Sequence, residues 1–345
     1  MSPQDQAAGS PLEFPWTDPP RPGGLVEVAP GVHWLRMSLP FRLNHINLWL
    51  IADGDRHVIV DCGYGLGETR DHWRTILAAH PPARVMVTHF HPDHIGNAGW
   101  LAETYGVPVA TTESEWLWAH YARHIDPAIE IDSRVAFYRA NGLDEERLGQ
   151  LRHRGNWYPQ GVPTLPRSYR RMRDGDVETI GGRAWHVVVC RGHAPEQMLL
   201  HCPDLDLLIA GDQVLPKITP NVAVQHPEPM ANPLDLFLRS LERLRHLPDA
   251  TLVLPSHGMP FRGLNARLDQ MFAHHDARLA DVLEACAAPR SALDIIGVLF
   301  RPDLHIHQLG FAMGEALAHL RFLEAAGKLA RATGPDGVIR FQRVA

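Results

Sequence analysis

No serine elbow of the GxSxG type occurs in this sequence, and none of its four cysteines sits where a nucleophile would be activated. Cys62, Cys190, Cys202 and Cys286 form no CxxC pair. Three of them fall in strand-like apolar stretches and read as small buried hydrophobes. Such usage fits a reducing cytoplasm. Gly63, Gly65 and Gly67 lack both the GxGxxG and the Walker spacing, so they read as a tight turn rather than a phosphate cradle. No apolar run approaches the length of a membrane span. A strong surplus of one charge is also missing: the net charge is −6 and the pI about 6.4, so nothing draws the whole protein towards polyanions. Residues 1–24 carry six prolines and no apolar h-region, and are expected to form an extended arm rather than a secretory signal.

What the chain has in quantity is histidine, 22 residues in 345. With 45% hydrophobic and 21% charged residues it has the composition of an ordinary globular enzyme, long enough for one large domain and a small one. The histidines concentrate where an apolar strand, expected over Arg84 to Thr88, runs into His89-Phe90-His91-Pro92-Asp93-His94. His89 and His91 stand two apart in extended chain, so both imidazoles project to one side. Pro92 forces a turn, and Asp93-His94 open a helix expected over Ile95 to Tyr105, ended by Gly106. Neutral imidazoles with a carboxylate are the donor set that suits zinc or a similar first-row ion.

The same device recurs along the chain. A strand over Ala184 to Val189, paired across the Gly181-Gly182 turn, runs into His193. Leu205 to Ala210 runs into Gly211-Asp212, and Thr251 to Pro255 into Ser256-His257. An earlier hairpin is expected across Asp53-Gly54. Between the blocks, Glu113 to about Leu151 has helical periodicity and ends in the aromatic stretch Gly155-Asn156-Trp157-Tyr158-Pro159. This insertion, about residues 113–170, reads either as a lid over the site or as a plain structural hairpin. His120 and His124, at i and i+4 without a carboxylate nearby, read as packing or surface residues.

Together His89, His91, Asp93, His94, His193, Asp212 and His257 suffice for two divalent ions. His89, His91 and His193 would hold one, Asp93, His94 and His257 the other, and the two oxygens of Asp212 would bridge. Two adjacent cations lower the pKa of a shared water towards neutrality, so a bridging hydroxide serves as nucleophile without Ser or Cys.

This ordered set resembles the metallo-β-lactamase superfamily over roughly residues 25–265. The resemblance implies an α+β fold, an αβ/βα sandwich of two mixed sheets with helices outside and metals at one edge. Asp212 and the Asp93-His94 pair resemble the glyoxalase II-like branch. In Gly192-His193-Ala194-Pro195-Glu196, Glu196 stands where that branch usually has Gly. Residues 266–290 read as a connecting helix, and 291–345 resemble a winged-helix appendage, with Ser291 capping one helix, a second over Phe311 to Ala330, and a hairpin at Gly334-Pro335-Asp336-Gly337. From Ser291 onward six Arg and Lys face five Asp and Glu, which leaves almost no footprint for nucleic acid. His305 and His307 lie in a loop beside Asp303 and make a weak third metal site.

The function expected is dinuclear hydrolysis of a thioester or ester-like acyl substrate, with Asp93 and Asp212 in the catalytic machinery and Lys217 pairing with a substrate carboxylate or phosphate, unless it is a solvated loop lysine. Zinc is the first expectation for the ions, with iron or manganese as alternatives. A two-metal nuclease is the second reading and a di-iron redox enzyme the third. No membrane association is expected, nucleic acid is disfavoured as a partner, and a homo-oligomer is left open.

Overall fold

The computed structural model describes residues 12–301, 304 and 306–344. A first sheet contains β1 (Leu25–Ala29), β2 (Val32–Ser38), β3 (His45–Asp53), β4 (Arg56–Val60), β5 (Pro82–Met86), β6 (Val109–Thr111) and β7 (Arg170–Arg171), in that spatial order. Neighbours are antiparallel as far as β4 and parallel from there on. The second sheet has the order β12 (Leu252–Pro255), β11 (Leu207–Gly211), β10 (Gln197–Cys202), β9 (Arg183–Cys190), β8 (Val177–Ile180), with only β11 and β12 parallel.

Alternation along each strand decides which layer a side chain enters. In β3, Trp49 and Ile51 face the second sheet, where they meet Trp185, Val187, Met198, Leu200, Ile209 and Leu254 in one buried cluster. Leu48 and Leu50 turn outward onto Trp73, Ile76 and Leu77 of α1 (Gly67–Ala79) and Leu101 of α3 (Ala98–Tyr105). On the far side, Leu199, Leu208 and Ala210 pack with Phe237 and Leu241 of α8 (Pro233–Leu244) and Leu268 of α9 (Leu264–Ala285). The expected four-layer sandwich follows.

The outer cluster continues without a break into Ile295 and Leu299 of α10 (Ala292–Leu299) and Met313, Leu317 and Leu320 of α11 (Ile306–Ala325). The C-terminal segment therefore shares a core with the second sheet. Ser291 caps α10 in a reciprocal box with Asp294, as expected. The final hairpin pairs β13 (Leu329–Thr333) with β14 (Ile339–Arg343).

Several boundaries differ from expectation for local reasons. The helix expected over Ile95 to Tyr105 is two pieces, α2 (Pro92–Ile95) and α3. The break comes at Asn97, whose Nδ2 donates to the carbonyls of Cys62, Gly63 and Tyr64 at 3.1, 3.1 and 2.8 Å. The metal-motif strand ends at Met86 because the Thr88 N–H turns to the Asp61 carboxylate (2.7 Å). α11 stops at Ala325 rather than Ala330, since Gly327 at φ 71° closes it and releases Leu329 into β13. The insertion is four helices, α4 (Glu113–His124), α5 (Pro127–Ala140), α6 (Glu145–Arg154) and α7 (Tyr158–Gly161), with Asp126 and Asp144 capping α5 and α6. No helix among the described residues is long and apolar enough to cross a membrane.

Candidate metal centre

Strands β5, β9, β11 and β12 all end at one edge of the sandwich, and the residues just beyond them converge there. His89 and His91 follow β5, Asp93 and His94 open α2, His193 follows β9, Asp212 follows β11 and His257 follows β12. They fall into two donor groups, each with its ligating atoms within 4.8 Å of one another: His89, His91, His193 and Asp212, then Asp93, His94 and His257. In the first, His89 Nε2 lies 2.9 Å from His91 Nδ1 and 3.3 Å from His193 Nε2. In the second, His257 Nε2 lies 3.4 Å from Asp93 and His94 Nε2 3.8 Å from the same carboxylate. Asp212 spans both: Oδ2 is 3.4 Å from His193 Nε2, and Oδ1 is 3.6 Å from His94 and 3.5 Å from His257.

Outer partners fix which nitrogen faces inward. His193 donates Nδ1–H to the Asn221 carbonyl (2.8 Å), His257 donates Nδ1–H to the His45 carbonyl (2.8 Å), and His94 donates Nδ1–H to Asp61 (2.8 Å), which leaves each Nε2 free. Asp61 also accepts from the Thr88 hydroxyl (2.8 Å), whose oxygen lies 3.0 Å from His89 Nδ1. His94 Nε2 and Asp212 Oδ1 are buried with no hydrogen-bond partner, an expensive arrangement unless a cation completes it.

The electrostatics divide the same way. Burial, with the neighbouring imidazoles, holds His89 well below the ordinary histidine range and His91 down at about 3, so both are neutral donors. Burial also opposes protonation of His257, but Asp212 and Asp93 outweigh it and push that imidazole up to about 10. His94 is raised in the same way, by Asp61, Asp93 and Asp212 against burial. Three carboxylates around one edge thus create a strongly negative pocket that calls for positive charge. The donor types, the inward nitrogens and the orphaned atoms all fit divalent metal ions.

Sequence reasoning missed the outer partners. Asp61 carried the signal already used elsewhere, an acidic residue at a strand end beside Cys62-Gly63. His45, Asn221, Glu115 and Tyr158 carried none, because their roles depend on loops distant in the chain. Burial pushes the Glu115 carboxyl up to about 8 although two backbone N–H groups bind it. Lys217 is exposed on the loop after Asp212, which Arg267 holds through the carbonyls of Leu215 (2.6 Å) and Ile218 (2.9 Å). His120 packs against Trp116 with ring centroids 4.1 Å apart and, like His124, belongs to neither donor group. Asp303, His305 and the His307 side chain lie outside the described residues. Glu196 replaces the expected Gly without strain, since the left-handed residue of that turn is Gly192 at φ 109°.

Residues 42–257 match the metallo-beta-lactamase superfamily, and residues 279–344 match the metallo-beta-lactamase-like C-terminal domain. The chain belongs to the metallo-β-lactamase superfamily. The second match begins inside α9 and covers α10, α11 and the terminal hairpin. Among solved structures, a beta-lactamase domain protein from Burkholderia ambifaria superposes with a TM-score of 0.89 at 45% identity, covering 96% of this chain and 98% of that one. The probable metallo-hydrolase YqjP of Bacillus subtilis (strain 168) is 25% identical over 84% of this chain and 91% of its own length. The acyl-coenzyme A thioesterase MBLAC2 of Gallus gallus is 27% identical over 66% of this chain and 77% of its own.

Proposed function

We propose that the protein is a dinuclear metal-dependent hydrolase of thioester or ester-like acyl substrates. The observation that carries this reading is Asp212, whose two oxygens face two separate donor groups. His89, His91 and His193 would hold one ion and Asp93, His94 and His257 the other, with zinc the first expectation. Bound there, divalent cations lower the pKa of water towards neutrality and polarise a substrate carbonyl. The chain's own contribution is to fix the donors. Asp61, Asn221 and His45 lock three imidazoles in one tautomer, and Asp93, kept ionised against burial by His94 and His257, completes the second donor group. A thiolate leaves without much protonation, so a thioester places little demand on a general acid.

Support for an acyl substrate comes from the segments that orient the ligands. They also present exposed apolar side chains: Phe41 and Leu43 precede His45, Ile218 follows Asp212, and the carbonyl of Phe311 accepts from Asn221 Nδ2. The thioesterase activity in the name of the chicken relative points the same way. Lys217, exposed beside Ile218, would pair with a phosphate or carboxylate of the carrier group. The C-terminal unit, with α10, α11 and the hairpin in winged-helix order, would act as a packing wall.

The test is a turnover screen of acyl-CoA thioesters, lactones, β-lactams and RNA on metal-loaded protein, with Asp212→Ala as control. Thioester hydrolysis that disappears in the control is the expected result. Turnover of RNA alone would establish the nuclease reading instead, and iron as the only metal recovered from purified protein would favour the redox one.

A further inference from the structure

We propose that the helical insertion is a fixed brace for the first donor group, acting through Glu115 and Tyr158 as positioning residues. The inference rests on the dinuclear reading above. The backbone of Phe90 lies between His89 and His91, and the insertion holds both its N–H and its carbonyl. Its N–H donates to Glu115 Oε2 of α4 (2.9 Å), and its carbonyl accepts from the Tyr158 hydroxyl of α7 (2.6 Å). The other Glu115 oxygen accepts from the N–H of Glu196 (2.6 Å), three residues after His193. The Glu196 carbonyl is held in turn by the Thr112 hydroxyl (2.8 Å), next to the start of α4. One carboxylate therefore ties the loop carrying His89 and His91 to the loop carrying His193. Glu115 is fully buried and Tyr158 is 7% exposed, so water cannot substitute for either.

The insertion is seated as a fixed part of the wall. Its return segment lies against α2, α3 and the β4–α1 loop backbone to backbone. Gly65 N–H donates to the Gly161 carbonyl (2.9 Å). A Cβ on Gly96 would sit 2.5 Å from that same carbonyl, and one on Gly99 would sit 2.7 Å from Thr164. Arg123 of α4 binds the carbonyls of Val162 and Pro163 at 3.0 and 3.1 Å. A lid that swings would have to break all of these contacts. The Phe90 N–H lies in the peptide that follows His89 and its carbonyl in the peptide that precedes His91, so holding both groups fixes the backbone between the two imidazoles before any ion arrives. Among the described residues Glu115 and Tyr158 hydrogen-bond to the backbone of Phe90 and Glu196 and to none of Asp93, His94 and His257, so losing either should fall first on the first donor group.

The chemistry selects the test variants. Above pH 8, where Glu115 is ionised, its carboxylate accepts from two convergent N–H groups, whereas an amide has one oxygen and one NH2, so Glu115→Gln measured there sets a donor against a donor at one loop. Tyr158→Phe removes a single hydroxyl and leaves the packing, which keeps the test open should the first variant fold poorly. Zinc affinity and stoichiometry would be measured on the full chain by chelator competition, and cobalt-substituted protein would report ligand geometry by its d–d absorption. In both variants we expect one of two ions to weaken by about 10–100-fold with a shifted cobalt spectrum, while the other is unchanged. Two ions held at wild-type affinity with an unaltered spectrum overturn the brace, even if stability against urea falls. Equal weakening of both ions overturns it too. A wild type that binds fewer than two ions overturns the dinuclear reading, and the brace with it.

Discussion

Asp61→Asn isolates the outer support of the metal centre from the fold. Asp61 Oδ1 accepts the Thr88 N–H at 2.7 Å, while Oδ2 accepts both the Thr88 hydroxyl and His94 Nδ1–H, each at 2.8 Å. Asparagine can keep the first bond. Its NH2 then meets the other two donors, and His94 relieves the clash only by moving its proton to Nε2, the nitrogen the site needs bare. The Thr88 hydroxyl loses its acceptor as well, and with it the orientation it gives His89. The backbone gives no reason for misfolding, because asparagine tolerates the φ of 60° found here. Losing such an outer-shell partner costs about 10–100-fold in metal affinity, or about 1.4–2.7 kcal/mol. Chelator competition on folded, zinc-loaded protein would measure it, with the loss expected chiefly at the ion beside His94. Wild-type affinity and stoichiometry in Asp61→Asn would refute the claim that this carboxylate sets the His94 tautomer.

Three further outcomes are expected. Stripping metal with EDTA should lower stability against urea, and free zinc at 100 times its Kd should restore about 2.7 kcal/mol per site, because the negative pocket then has its cation. His275 and His319, buried against each other between α9 and α11, are held down by burial at about 3 and about 4 from 6.5. Their neutral forms contribute stability that is present above pH 6.5 and lost as pH falls towards those values, roughly 2–4 kcal/mol in all at pH 5. Denaturation midpoints of the metal-free protein across pH 7 to 5 would show it, with a flatter profile in His319→Gln. Gly192→Ala should destabilise by about 3 kcal/mol or more, since the residue lies at φ 109° and a Cβ there would stand 2.4 Å from Phe237. Urea titration is sufficient to measure it.

The sequence by itself determined the candidate donors and the strands that carry them. The apolar runs of β3, β9 and β11 are legible as buried strands, and a two-residue period puts Trp49 and Ile51 on one face and Leu48 and Leu50 on the other. With both faces apolar, only packing decided which one meets the second sheet. A histidine or aspartate placed just past such a strand is equally legible, which is why His89, His193, Asp212 and His257 could be listed in order before any fold was known. Tertiary structure alone decided how those donors are held. The carbonyls of His45 and Asn221 carry no side-chain signature, and Glu115 looks like any helix-opening acid until Phe90 and Glu196 arrive from either side of it. Hydrogen bonds between loops depend on where the whole chain brings them, and no window of neighbouring residues encodes that. The break between α2 and α3 has the same origin, since the Asn97 amide bonds to carbonyls more than thirty residues away rather than to its own helix.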